Sequence, residues 1–313
     1  MKKVIPTFLL FLTLLIIYQL RLKEFSQTRI LMDTICEIKV YSRINPQKKL
    51  EKIFKEIARI DTLMSFEKNG DIKKLNQKGR IKAHPYTLFV VKKALKIAKE
   101  THGKFDITIR PIMEIWKDFE KPVLPNPEEI KKFLNFVDYE KIMIKGDSII
   151  LPRGFELDLS GIAKGFAVDL AVELLKKEGF KKGLVNFGGD IKVFGNKNFI
   201  IGVKHPRKEG IICKVKLKEK AIATSGDYEK YFEINGKRYH HILNPETGYP
   251  AEGIISVTVI ADNAIDADAF ATALFLMKPE KALKFAKEKN LEILIITKDL
   301  KMYMTEGFKN LLL

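Results

Sequence analysis

Cysteine is nearly absent. Cys36 and Cys213 are the only two in 313 residues and lie far apart, so one disulfide is the most the chain can form, and the sequence does not settle whether it does. No G-x-x-x-x-G-K-[ST] string and no H-E-x-x-H string occurs, which sets aside a P-loop and a zincin site. No zinc-finger or RNP-like string and no basic stripe interleaved with aromatics is present, so nucleic acid is not expected as a partner. No internal repeat or low-complexity linker is found either, and any domain division is interleaved rather than sequential.

What the chain does have is positive charge. Lys and Arg number 56 against 39 Asp and Glu, a formal net charge of +17, which suits an anionic partner such as a phosphorylated small molecule or an acidic membrane face. Many lysines fall in scattered pairs, such as Lys48-Lys49 and Lys176-Lys177, on the polar faces of expected helices. Lys2 and Lys3 precede an apolar run from Val4 to Leu20, the charge-then-hydrophobe order of an export signal. No small-x-small cleavage site follows. Residues 1–23 are therefore read as an uncleaved membrane anchor, the alternative being a cleaved signal peptide, with the rest of the chain outside the cytoplasm.

Alternation predicts a strand from Met32 to Tyr41 with Thr34, Cys36, Ile38 and Val40 on one side. Leu50, Ile53, Phe54, Ile57, Ile60 and Met64 then repeat at helical spacing, and Pro85 opens a second helix that Gly103 stops. Between them, residues 65–84 read as a polar stretch with only a short turn at Leu75-Asn76. An insertion from Pro122 to Pro127 and a short helix to Phe136 precede a hairpin around Gly146-Asp147. After residue 183 strand-like runs dominate, with Asn235-Gly236 as the strongest hairpin signal. Antiparallel strands mixed with several helices give an α+β fold.

The stretch Asp158-Leu159-Ser160-Gly161-Ile162-Ala163-Lys164-Gly165 places a carboxylate, a hydroxyl, two glycines and a lysine at the mouth of a helix. Ser160 is read as its N-cap and Gly179 as its stop. A helix start offers unpaired N–H groups and the positive end of the dipole, so this entry suits a phosphate; an ordinary capped amphipathic helix is the bland alternative. Asp268 and Thr272, four apart on one helical face, could hold Mg²⁺ as hard oxygen ligands, with Asp268 read as an exposed cleft carboxylate. Serving the helix dipole is the alternative for that aspartate. His240-His241 ends a strand, whose alternation points one of the two inward, as an acid–base group or a simple donor.

Seven strings together resemble the FAD:protein FMN transferases, the ApbE family. They are Met32-x-Thr34, Phe105-Asp106-x-Thr108, Asp158 to Gly165, Asn186-Phe187-Gly188-Gly189-Asp190, Ala223-Thr224-Ser225-Gly226-Asp227-Tyr228, His241-Ile242-Leu243-Asn244-Pro245-x-Thr247-Gly248, and Asp268-x-x-x-Thr272. The resemblance covers nearly all of residues 24–313 and implies antiparallel, T-fold-like sheets flanked by helices. It implies a Mg²⁺-dependent enzyme that takes FAD as substrate, splits its pyrophosphate and passes FMN to a Thr or Ser hydroxyl of a protein, releasing AMP. The implied acceptors are subunits of membrane respiratory or redox complexes. Asp268, Thr272 and the Gly161 carbonyl would ligate the metal. Met32, Phe66, Phe105, Asp106, Asp158, Lys164 and Ile242 would line the FAD, and His241 would face the pyrophosphate as base, with Asp158 or Asp106 as the other candidates. Asp33, Phe66 and Arg110 depart from the usual glycine, tyrosine and glycine. FAD hydrolysis to FMN and AMP, and a tethered flavin binder without turnover, are the alternative readings.

Overall fold

The computed structural model describes residues 22–116 and 123–313. Residues 1–21 of the expected anchor and Pro122 lie outside the described residues, and no described helix is long and apolar enough to cross a membrane.

The described chain opens with a hairpin of β1 (Lys23–Leu31) and β2 (Thr34–Ser42). The strand expected from Met32 thus starts two residues later. Met32 and Asp33 form the turn, both with positive φ, 53° and 57°, the geometry whose twist suits a two-residue hairpin. The Asp61 carboxylate accepts the Met32 N–H at 3.0 Å and fixes the turn. Behind it come α1 (Gln47–Met64), α2 (Asp71–Lys78), β3 (Arg80–Lys82) and α3 (Pro85–Glu100). In α2, two full turns replace the expected short turn, anchored by buried Ile72 and Leu75. Next are α4 (Arg110–Ile115), α5 (Pro127–Leu134), β4 (Met143–Lys145), β5 (Ser148–Ile150) and α6 (Ser160–Lys177).

The second half supplies most strands: β6 (Gly183–Phe187), β7 (Asp190–Phe194), β8 (Phe199–Lys204), β9 (Ile211–Leu217), β10 (Ala221–Gly226), β11 (Tyr231–Ile234), β12 (Lys237–His240) and β13 (Ile254–Ala261). The chain closes with α7 (Ala264–Phe275), α8 (Pro279–Glu288), β14 (Glu292–Thr297), β15 (Met302–Met304) and α9 (Glu306–Asn310). One sheet runs β1-β2-β6-β7-β10-β13-β14-β15, antiparallel at every pairing. This is the expected α+β architecture. Its β13 is buried at every residue because both faces are covered. On one face α1, α6 and α7 contribute to the larger core. On the other, Phe199, Val215, Val193 and Phe308 form a second. Cys36 packs in the first and Cys213 against the second, and both are free.

Helix α6 is not the amphipathic surface helix of the bland alternative. Ile162, Ala163, Phe166, Ala167, Val168, Ala171, Val172 and Leu175 are all buried, on more than one face. Its closest neighbour is α7. A Cβ at Gly165 would stand 2.4 Å from the Ala264 carbonyl oxygen and 2.8 Å from Asp268 Cβ, so the two backbones meet where only glycine fits. Asp169 of α6 accepts the Ala264 and Ile265 N–H groups at 3.0 and 2.9 Å, capping the start of α7 from the side. Gly165→Ala should lower stability by about 2–3 kcal/mol through overpacking, measured by urea unfolding; an unchanged midpoint would refute this account of the helix contact.

Candidate functional site

The entry of α6 carries the site, and its cap differs from expectation. Ser160 is the first helical residue and its side chain makes no cap. Asp158 does that work, its Oδ1 accepting the Ser160 N–H at 2.6 Å, because a carboxylate two residues ahead reaches the unpaired donors and favours the dipole. Asp158 is 4% exposed, and its Oδ2 is buried with no hydrogen-bond partner among the described residues.

One turn on, Lys164 lies between two buried carboxylates. Its Nζ is 2.7 Å from Asp190 Oδ2 and 3.7 Å from Asp268 Oδ1. Burial opposes the ammonium charge, but Asp190 and Asp268 outweigh it and hold the lysine above its ordinary pKa. Burial raises the Asp190 carboxyl, and the neighbouring Asp268 raises it further, against the pull of Lys164. Asp268 is 5% exposed, which corrects its reading as an exposed cleft carboxylate. Its Oδ2 accepts the Gly165 N–H at 2.9 Å, the donor that a regular helix directs at the Gly161 carbonyl.

Two of the three expected metal ligands, Gly161 and Thr272, lie side by side. A Cβ placed on Gly161 would lie 3.6 Å from Thr272 Oγ1 and 3.3 Å from the Phe105 ring, so Gly161, Thr272 and Phe105 meet at one point. Thr272 Oγ1 is 3.2 Å from Ser225 Oγ. No group of three His, Cys, Asp or Glu side chains that could hold a metal exists among the described residues. The expected donors are instead a carboxylate, a hydroxyl and a carbonyl, all hard oxygens, a chemistry that suits Mg²⁺ rather than zinc.

The adjacent histidines divide two tasks. His240, the inward one, is 4% exposed; its Nε2 meets the Ala251 carbonyl at 2.9 Å and its Nδ1 accepts the Ile242 N–H at 3.2 Å. Both nitrogens are used in the structure, so His240 organises the loop and holds the buried Ile242. His241 directs Nδ1 at the Lys230 carbonyl, 3.2 Å away. A carbonyl only accepts, so Nδ1 carries the proton and Nε2 keeps its lone pair. Burial pushes the His241 imidazole down to about 4, the Lys230 carbonyl partly opposing, with His240, Lys230 and Lys164 adding to the fall. It is a neutral base at neutral pH.

Two expected FAD contacts have other partners. Asp106 Oδ1 accepts the Thr108 N–H and hydroxyl at 2.8 and 2.6 Å, and Oδ2 accepts the Tyr139 N–H at 3.0 Å. Burial raises its pKa against these three bonds, and the side chain ties two loops together. Phe66 has Arg110 over its ring, 3.9 Å from the centroid, while Arg110 also pairs with Glu114; one ring face is thereby covered. Met32 sits in the β1–β2 turn. Sequence reasoning assigned nothing to Asp190, Ser225, Gly165 or Asp169. Asp190 and Ser225 stand inside quoted strings, and an aspartate directly after a Gly-Gly turn was the available signal.

An antiparallel eight-stranded sheet with this helix entry is the architecture of a solved class of flavin transferases. The fold superposes on the ApbE protein of Thermotoga maritima with a TM-score of 0.88 at 34% identity, covering 92% of this chain and 99% of that one. On the flavin transferase ApbE of Vibrio cholerae the TM-score is 0.85 at 27% identity, covering 93% and 99%. The sequence profile of the ApbE family matches residues 32–295. The chain belongs to the ApbE family. Among its relatives, the FAD:protein FMN transferase of Vibrio cholerae is 30% identical over 84% of this chain and 83% of its own, and that of Haemophilus influenzae 31% identical over 83% and 80%.

His241 should titrate near pH 4 by NMR rather than near 6.5. Its folded pKa lies below the unfolded one, so between those values the unfolded chain binds more protons. Its contribution to stability therefore rises with pH across that window and is lost as pH falls. Titration above pH 6 would remove the neutral-base assignment.

Proposed function

We propose that this protein is a Mg²⁺-dependent FAD:protein FMN transferase. The observation that carries the reading is the α6–α7 contact, which sets Thr272 beside Gly161 and Asp268 on the Gly165 N–H, next to Lys164. FMN transfer breaks the bond between the FMN phosphorus and the bridging oxygen of FAD, forms a bond from that phosphorus to a Thr or Ser oxygen of the acceptor, and releases AMP. Mg²⁺, held by Asp268, Thr272 and the Gly161 carbonyl, would neutralise charge on the pyrophosphate oxygens. Lys164 adds a fixed positive charge beside them, and the start of α6 offers its dipole. The Nε2 of His241 takes the proton from the acceptor hydroxyl. Asp158 Oδ2, buried and unpartnered, accepts a donor group of the bound FAD. Phe105 and Ile242 supply apolar walls, and Met32 and Phe66 complete the flavin side.

The setting follows from the sequence. Lys2, Lys3 and the apolar run to Leu20 favour a tether that holds residues 24–313 on the extracytoplasmic side of the cell membrane. Subunits of membrane respiratory or redox complexes are the acceptors such a position reaches.

With FAD, Mg²⁺ and an acceptor domain bearing a target threonine, residues 24–313 should leave covalent flavin fluorescence on the acceptor after denaturing electrophoresis. AMP formed equally fast without acceptor would mean hydrolysis, and no AMP at all would mean binding only. Asp268→Asn keeps an oxygen for the Gly165 N–H but loses the charge, and should cut transfer by about a hundredfold or more, as lost charge stabilisation does in other enzymes, with unfolding little changed. Retained Mg²⁺-dependent turnover would refute the metal assignment.

A further inference from the structure

Asp190 is a buried carboxyl group, 3% exposed, for which the chemistry above has no direct use. It begins β7 immediately after the turn at Gly188 and Gly189, which adopt φ of 62° and 99°, and it pairs with Phe187 across the hairpin. A Cβ at Gly188 would stand 2.4 Å from Thr34 Oγ1, so this turn is pressed against the start of β2. Asp190 is thus fixed by the sheet, whereas Lys164 and Asp268 ride on α6 and α7. Two carboxylates face one ammonium, and the lysine lies closer to the sheet-borne one, at 2.7 against 3.7 Å.

We propose that Asp190 is a positioning residue that draws the Lys164 ammonium away from Asp268 Oδ1, leaving that oxygen available to a divalent cation. The inference rests on the metal reading given above. Asp268 Oδ2 already accepts the Gly165 N–H, so Oδ1 is its oxygen for a cation. An ammonium bonded to Oδ1 would compete for it and repel a second positive charge a few ångströms away. Hydrogen-bonded to Asp190 Oδ2 at 2.7 Å, Lys164 is held in place by geometry. It can stand beside both a divalent cation and a pyrophosphate without closing on Asp268. In Asp190→Asn the nearest remaining anion is Asp268, and the lysine becomes an internal competitor.

Mn²⁺ serves as an oxygen-preferring probe. Its binding to the full chain without FAD is measured by electron paramagnetic resonance for the wild type, Asp190→Asn, Lys164→Gln and the double variant. Asp190→Asn should weaken Mn²⁺ by about tenfold or more, Lys164→Gln should bind at least as tightly as the wild type, and the double variant should match Lys164→Gln within about threefold, the non-additivity expected of residues acting through one another. A merely structural Asp190 would weaken binding in both backgrounds. Wild-type affinity in Asp190→Asn, or a tenfold loss in Lys164→Gln, overturns the proposal. If Asp190→Asn lacks a cooperative thermal transition, Lys164→Gln alone decides. Mn²⁺ binding absent from the wild type, or undiminished in Asp268→Asn, would instead bring down the metal reading itself.

Discussion

Everything at the site depends on two helices touching through a glycine. At Gly165 the backbone of α6 lies so close to α7 that a methyl group would collide with the Ala264 carbonyl. That approach lets Asp268 Oδ2 reach the Gly165 N–H and brings Thr272 opposite Gly161. A carboxylate taken from water without partners is costly. Here one oxygen is met by a backbone donor, while the other faces Lys164 at a distance too long for a hydrogen bond. Close packing and charge placement are one device: separating the helices would strand the carboxylate and open the ligand set together.

The same economy of partners sorts residues that look alike. His240 and His241 are neighbours, yet His240 has both nitrogens engaged, whereas His241 commits only Nδ1 to Lys230. A histidine with both nitrogens engaged is structural, and one with a lone pair to spare can take a proton. Burial then lowers the pKa of His241 enough to keep it neutral. This is the condition a base needs where the total charge of the chain is strongly positive.

The sequence was legible where periodicity is strong. Helix α1 was read from its apolar spacing, β2 from its alternation and the β11–β12 hairpin from Asn235-Gly236. It was illegible where burial is one-sided or weak. Strand β1 is an edge strand with most of its residues exposed, so it carries no period-two signal, and α2 buries only Ile72 and Leu75. Ser160 had the composition of a cap, but the chain turns so that Asp158 reaches the donor first. That Thr272 lies beside Gly161 was legible only through the family resemblance, since the two stand in separate strings. Asp190 was missed because its partner is 26 residues away and the Gly-Gly turn before it, the one local signal, does not by itself mark a carboxylate as buried.

Asp106 and Asp158 carry this distinction to its end. Both are buried aspartates in loop segments, and the family resemblance gives both to FAD. Asp106 has three donors on its two oxygens, so its burial is already largely compensated by the fold. Asp158 has one donor on Oδ1 and none on Oδ2. An unsatisfied buried acceptor costs about 1–3 kcal/mol, a penalty that the packing of α6 does not require, since Oδ1 alone caps the helix. A penalty carried by the free protein and removed when a ligand donates to Oδ2 is differential affinity for that ligand. Asp158 keeps an acceptor to spare at the start of α6, whereas Asp106 is committed to tying two loops together.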